Sequence, residues 1–144
     1  MNGDTRKVRS DWIYRSESND GIERIEAFFH GNAYSMHRHD TYAIGVTLAG
    51  VQCFHYRRSL RSSLPGQTMV LHPDEAHDGQ AGTNEGFRYR MLYVQPAAIQ
   101  EVHGGQSLPF IEGGVTTDPR LFKATKAALR QMHRIVRRRL VLGR

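Results

Sequence analysis

The chain has 144 residues, of which 39% are hydrophobic and 24% charged, a composition that fits one globular domain. A single cysteine, Cys53, excludes an intrachain disulfide. No apolar run approaches the ~18 residues of a membrane helix, and no apolar stretch follows Met1, so a cytoplasmic protein without a membrane partner is expected. The net charge of +6 is uneven: eleven bases and fourteen acids leave residues 1–119 at −3, and the nine other Lys and Arg begin at Arg120. A basic tail of this kind is more often a solvated helix face than a phosphate contact.

Residues 1–22 are polar and turn-rich apart from Trp12, Ile13 and Tyr14, and they read as an arm that docks through that cluster. Stretches of strand character follow in "RIEAFFH", "YAIGVTLAG", "VQCFHYRR", "TMVLH" and "GFRYRMLYVQP". "LPGQ", "HPDEAHDG" and "AGTNEG" supply the turns between them. Five or more short strands at this spacing predict a small sandwich or barrel over residues 23–117. In the last strand Phe87, Tyr89, Met91 and Tyr93 form a buried face, whereas Arg88, Arg90, Leu92 and Val94 run from charged to apolar, as at a barrel rim.

"PAAIQEV" predicts a short helix opened by Pro96, and "SLPFIEGGVTT" a short strand or loop. Residues 118–144 differ in kind. Asp118 can cap, Pro119 suits the first helical turn, and Leu121, Thr125, Ala128, Leu129, Met132 and Val136 make an apolar stripe to about Arg138. That stripe can pack on its own barrel, on a second copy, or on both.

Three of eight histidines lie in "HGNAYSMHRHDTYAIG", at 30, 37 and 39. Side chains two apart in a strand share a face, so His37 and His39 converge if this segment is extended. Zinc- or iron-type ions need at least three such donors, and the third must come from elsewhere. His72 and His77 frame a turn, His55 reads as a core or rim residue, and His30, His103 and His133 show no partners. Cys53, mid-strand, reads as a small buried hydrophobe.

Gly31, five residues, His37, one residue, His39 and then Gly50 resemble the first motif of the cupin barrels. Gly66 with His77 eleven residues on is similar to the second motif, with Pro73 one position late and Ala81 in place of asparagine. The resemblance implies a metal set of His37, His39 and His77 for a divalent ion such as Zn, Ni, Fe or Mn. Ala43 and Ile44 stand where its glutamate ligand falls. "HRHDTYAIGVTLAGVQCFHYR", "SLPGQTMVLHPDEAHDG" and "GFRYRMLYVQP" resemble, over about residues 10–135, the N-terminal sensor domain of AraC-type transcription regulators.

This resemblance implies a mainly β, cupin-like (double-stranded β-helix or jelly-roll) barrel with a C-terminal α-helix. It further implies a small-molecule effector held by Trp12, His37, His39, Tyr42 and His77, an arm folding over that effector, and homodimerisation through the helix. Promoter DNA would be read only by a helix-turn-helix domain, which this sequence does not contain. An excised domain, a truncated reading frame and a natural single-domain product all fit that ending. The alternative is a small metal-dependent cupin enzyme, of dioxygenase or isomerase type, using His37, His39 and His77. A dimerisation unit with a vestigial pocket is the third reading.

Overall fold

The computed structural model describes residues 11–17, 21–102 and 114–130. They form β1 (Trp12–Glu17), β2 (Glu23–Phe29), β3 (Asn32–His37), β4 (Tyr42–Gly50), β5 (Gln52–Tyr56) and β6 (Ser59–Ser63). β7 (Thr68–Leu71), β8 (His77–Ala81), β9 (Phe87–Val94), α1 (Pro96–Val102), β10 (Val115–Thr116) and α2 (Pro119–Ala128) follow. The strands make two antiparallel sheets, one in the order β1-β2-β9-β4-β7-β10 and the other β3-β8-β5-β6. This is the two-sheet β architecture with a C-terminal helix expected from the sequence.

Period-two alternation decides what each strand buries. On β2, Ile25 and Ala27 point between the sheets, as do Tyr89 and Met91 on β9 and Phe54 and Tyr56 on β5. Each large apolar side chain so buried contributes about 1.5–3 kcal/mol. The opposite face of the larger sheet carries a second cluster, in which Val46, Leu92 and Val94 meet Leu129 at the end of α2, with Ile44 and Phe122 packed against them. The apolar end of the outer face of β9 therefore lies beneath a helix and not at an open rim.

α2 starts as its sequence dictates. The Asp118 side chain accepts the Arg120 backbone N–H at 2.9 Å, and Pro119 occupies the first turn. Leu129 is its C-cap, and the expected continuation to about Arg138 lies outside the described residues beyond Arg130. Arg24 Nε donates to the Ala128 carbonyl at 2.8 Å, which satisfies one orphan acceptor of the last turn and ties β2 to α2. Thr125 and Leu129 of the expected stripe are buried against the chain's own barrel, whereas Met132 and Val136 lie outside the described residues.

Four segments differ from the expectation. Residues 12–17, assigned to the arm, form an edge strand paired to β2 from Trp12↔Phe28 to Glu17↔Glu23. The segments of β3, β6 and β8 carry too few bulky apolar residues to read as strands, yet they complete the smaller sheet with β5. His77, expected within a turn, is the first residue of β8. His55 is on the exposed face of β5, where Asp78 accepts its backbone N–H at 2.6 Å and pairs with its Nδ1 at 2.8 Å. Cys53 is buried as expected, with Sγ 3.3 Å from Ser62 Oγ.

Candidate functional site

Packing between the sheets stops short at one end and leaves a cavity of about 330 Å³. β3 supplies Tyr34 and His37, β8 supplies His77, β9 supplies Met91 and Tyr93, and β1 supplies Ile13 and Arg15. His39, from the segment just after β3, also lines it. The motif glycines allow the turns that feed these strands: Gly31 and Gly66 take φ of +54° and +94°.

His37, His39 and His77 each offer a ring nitrogen, and these atoms all lie within 4.8 Å of one another. Their convergence has a different cause from shared strand parity. β3 ends at His37, so His39 is placed by the coil after it, whose position is held by the Asp74 N–H donating to the His39 carbonyl at 2.7 Å. His77 comes opposite His37 by direct cross-strand register.

Backbone carbonyls orient two of the rings. His37 Nδ1 lies 2.8 Å from the Ser35 carbonyl and His77 Nδ1 lies 3.2 Å from the Glu75 carbonyl. A carbonyl only accepts, so in the neutral ring each Nδ1 carries the proton and each Nε2 keeps its lone pair. His37 Nε2 stands 3.0 Å from His39 Nε2. Such carbonyl support of the far ring nitrogen is the usual outer-shell arrangement of metal-binding histidine.

Burial, with the neighbouring His37 and His39 adding to it, holds His77 down to about 4 against the opposing Glu75 carbonyl. Burial also lowers His39, with the His37 charge next in effect. Both are therefore neutral at pH 7 and able to donate a lone pair. The donor set fits a divalent transition metal of Zn, Ni, Fe or Mn type, with neutral imidazoles in a half-enclosed site. Ala43, the residue at the position of the cupin glutamate, does line the cavity, while Ile44 packs under α2. The wall there is a methyl group, so no carboxylate comes from that position.

Tyr34 and Tyr93 supply phenols that the histidine motif does not reveal. Burial raises both, Tyr93 to about 12 with the Glu23 charge as a further cause, so each is a protonated hydroxyl at pH 7. The fully buried Gln52 donates from Nε2 to Tyr34 Oη at 3.2 Å. Tyr34 reaches the cavity only because β3 is bulged: its register shifts between Tyr34↔Gly79 and His37↔His77. Strict alternation would put residues three apart on opposite faces, and the bulge restores a common one. A Cβ on Gly79 would lie 2.3 Å from the Tyr34 ring, so Gly79 makes room for it. The signal for Tyr93 was the Phe87, Tyr89, Met91 periodicity. Nothing local marked Tyr34 or Arg15.

Two expected ligand contacts lie elsewhere. Trp12 packs against Tyr14 and Phe28, with ring centroids 4.9 and 6.4 Å away, and the same strand turns Ile13 and Arg15 to the cavity instead. Tyr42 is buried beside the His72 ring at 5.3 Å, because Ala43 takes the cavity-facing parity of β4. The nearby carboxylates Asp40 and Glu75 are not part of the three-histidine group. Asp40 lines an adjoining hollow, and Glu75 pairs with Arg57 at 2.9 Å.

Solved structures place this architecture among the cupin-fold proteins. The cupin domain of an XRE-family transcriptional regulator from Enterobacter cloacae has a TM-score of 0.53 at 14% identity, covering 61% of this chain and 99% of that one. A cupin 2 conserved barrel domain protein from Salinispora arenicola has a TM-score of 0.53 at 18% identity over 65% and 83% of the two chains. KdgF from Halomonas sp. gives 0.51 at 14% identity over 61% and 82%. Within that fold, residues 19–142 match the family described as the AraC-like ligand binding domain, and the chain belongs to that family. No curated protein sequence matches it significantly.

Proposed function

We propose that this chain is the effector-sensing part of an AraC-type transcription regulator and binds a small molecule in the cavity beside His37, His39 and His77. The observation that carries the reading is the cavity of about 330 Å³, which combines an apolar wall with converging imidazoles and phenols in a chain of this family. β1 forms one wall of that cavity, so a bound effector stabilises the docked strand, and any signal requires different affinities for its docked and undocked states. Phe122, Thr125 and the C-cap Leu129 of α2 pack on the chain's own barrel, so a homodimer of the kind the family implies uses the other surface of that helix, and promoter DNA is read by a helix-turn-helix partner domain. Among the described residues no helix is long and apolar enough to cross a membrane, and a cytoplasmic setting accords with such a regulator.

His37, His39 and His77 would hold a divalent metal, which would supply a Lewis-acidic anchor for an effector's oxygen. Elemental analysis of the purified, untagged protein beside a His37→Ala, His77→Ala double variant tests this. About one equivalent of Zn, Ni, Fe or Mn in the parent and none in the variant is the expected result. Metal-free parent protein would leave the histidines as direct ligand contacts. Their donor set also favours a second reading, a metal-dependent cupin enzyme. Turnover of an effector candidate by the metal-loaded parent and not by the variant would establish it.

A further inference from the structure

We infer that the cavity is selective for small organic monocarboxylates, with Arg15 of β1 as the residue that recognises the carboxylate. This inference rests on the sensor reading above and names its ligand class. Three observations carry it. Among the described residues that line the cavity, Arg15 is the one carrying a permanent charge, and none is an acid. The remaining polar lining is mixed: Ser35, Tyr34 and Tyr93 carry hydroxyls able to donate, His37 and His77 present Nε2 lone pairs, and His39 lies beside them. The rest is apolar, including Ile13, Leu71 and Met91, and so suits a hydrocarbon or aromatic body.

A wall with one cation and no carboxylate favours an anionic head, whose charge can replace that of Glu23 at Arg15, over a neutral polyol, which leaves the guanidinium without a counter-charge when it displaces Glu23. Arg15 also has the right geometry class. A planar guanidinium offers paired N–H donors that match a carboxylate bidentately. Its present partner is Glu23, with Nη1 3.3 Å from Oε1, and both side chains are about half exposed. An exposed pair of this kind is weak, so a ligand carboxylate can exchange for Glu23 at the mouth. Arg15 and Glu23 also line together, with Asp40, the adjoining hollow that shares His39 and Tyr93, which keeps the exchange local. The cavity volume of about 330 Å³ lies near the lower end of the roughly 300–1,000 Å³ of small-molecule sites and limits the ligand to a small acid.

The test is calorimetric titration of the full chain, metal-free and metal-loaded, with the matched probes benzoate and benzamide and then hexanoate and hexanamide. The acids should bind about tenfold more tightly than their amides. Arg15→Gln, at an exposed position, should erase that preference in metal-free protein without changing metal content. Glu23→Gln should strengthen acid binding by removing the competing carboxylate. Equal binding of acid and amide, or an acid preference that survives Arg15→Gln in metal-free protein, overturns the inference. Binding of neutral sugars but of no acid overturns it while leaving the sensor reading intact. A cavity that binds neither acids nor neutral molecules sinks the sensor reading itself.

Discussion

The larger sheet has an apolar cluster on each face, and the two end differently. Beneath α2, Leu129 closes against Val46, Leu92 and Val94, with only 1% of Leu129 exposed. Between the sheets, the cluster built on Ile25, Phe54 and Met91 stops before the barrel mouth, and histidines and tyrosines replace hydrocarbon there. The same strands serve both, because β9 turns Met91 and Tyr93 one way and Leu92 and Val94 the other. The sealed cluster provides stability, whereas the unfilled one leaves donors and lone pairs facing a space that a ligand can enter. Stability and binding should therefore separate by face, even where the residues are adjacent in sequence.

The largest test of that separation is Leu129→Ala, which removes buried hydrocarbon beneath the helix and should cost about 4 kcal/mol in chemical denaturation. Ligand affinity per folded molecule should stay unchanged, and a parallel loss of affinity would break the comparison. On the cavity side, His77 titrates at about 4 when folded and near its ordinary 6.5 when unfolded. The unfolded chain takes up the proton first, so this contribution to stability is complete above about pH 6.5 and is lost as pH falls toward 4. The loss is of order 3 kcal/mol, and His39 adds to it in the same direction. Denaturation of metal-free protein across that window should show the slope, and His77→Gln should flatten it; an unaltered slope would mean that other groups carry it.

Gly79→Ala should cost about 2 kcal/mol, since its new methyl collides with the Tyr34 ring. Unlike Leu129→Ala, it should also change cavity affinity, so an unaltered ligand Kd would show that Tyr34 is not a working wall. The smallest effect belongs to the β5–β6 turn, where Arg57 and Arg58 form a two-residue hairpin loop with φ of +52° and +67°. Arg58→Gly should raise stability by about 1 kcal/mol by relieving the left-handed backbone, with binding untouched. A thermal melt reads it, and no rise in Tm would show that the turn carries no such strain.

Much of the fold was legible because it rests on local periodicity. "YAIGVTLAG" and "FRYRMLYV" alternate or run apolar over their whole lengths and appear as β4 and β9, and Asp118 with Pro119 marks the start of α2. The segments of β3, β6 and β8 were not, since "NAYSMH", "SLRSS" and "HDGQA" are polar enough to read as loops. They become strands because β5 and its neighbours offer backbone partners across the chain. The histidine set was visible through motif spacing, whereas Arg15, Tyr34 and the outward turn of Trp12 were not. Their facing depends on the pairing of β1 with β2 and on the bulge in β3.

By itself, the sequence determined the β class, the helix start, the identity of three converging histidines and the family, because these follow from side-chain period, capping chemistry and spacing. Tertiary structure alone decided that β1 belongs to the barrel, that Arg15 and two phenols join the imidazoles, and that Tyr42 does not. Which face a residue presents depends on strand register, and register is set by partners far away in the chain.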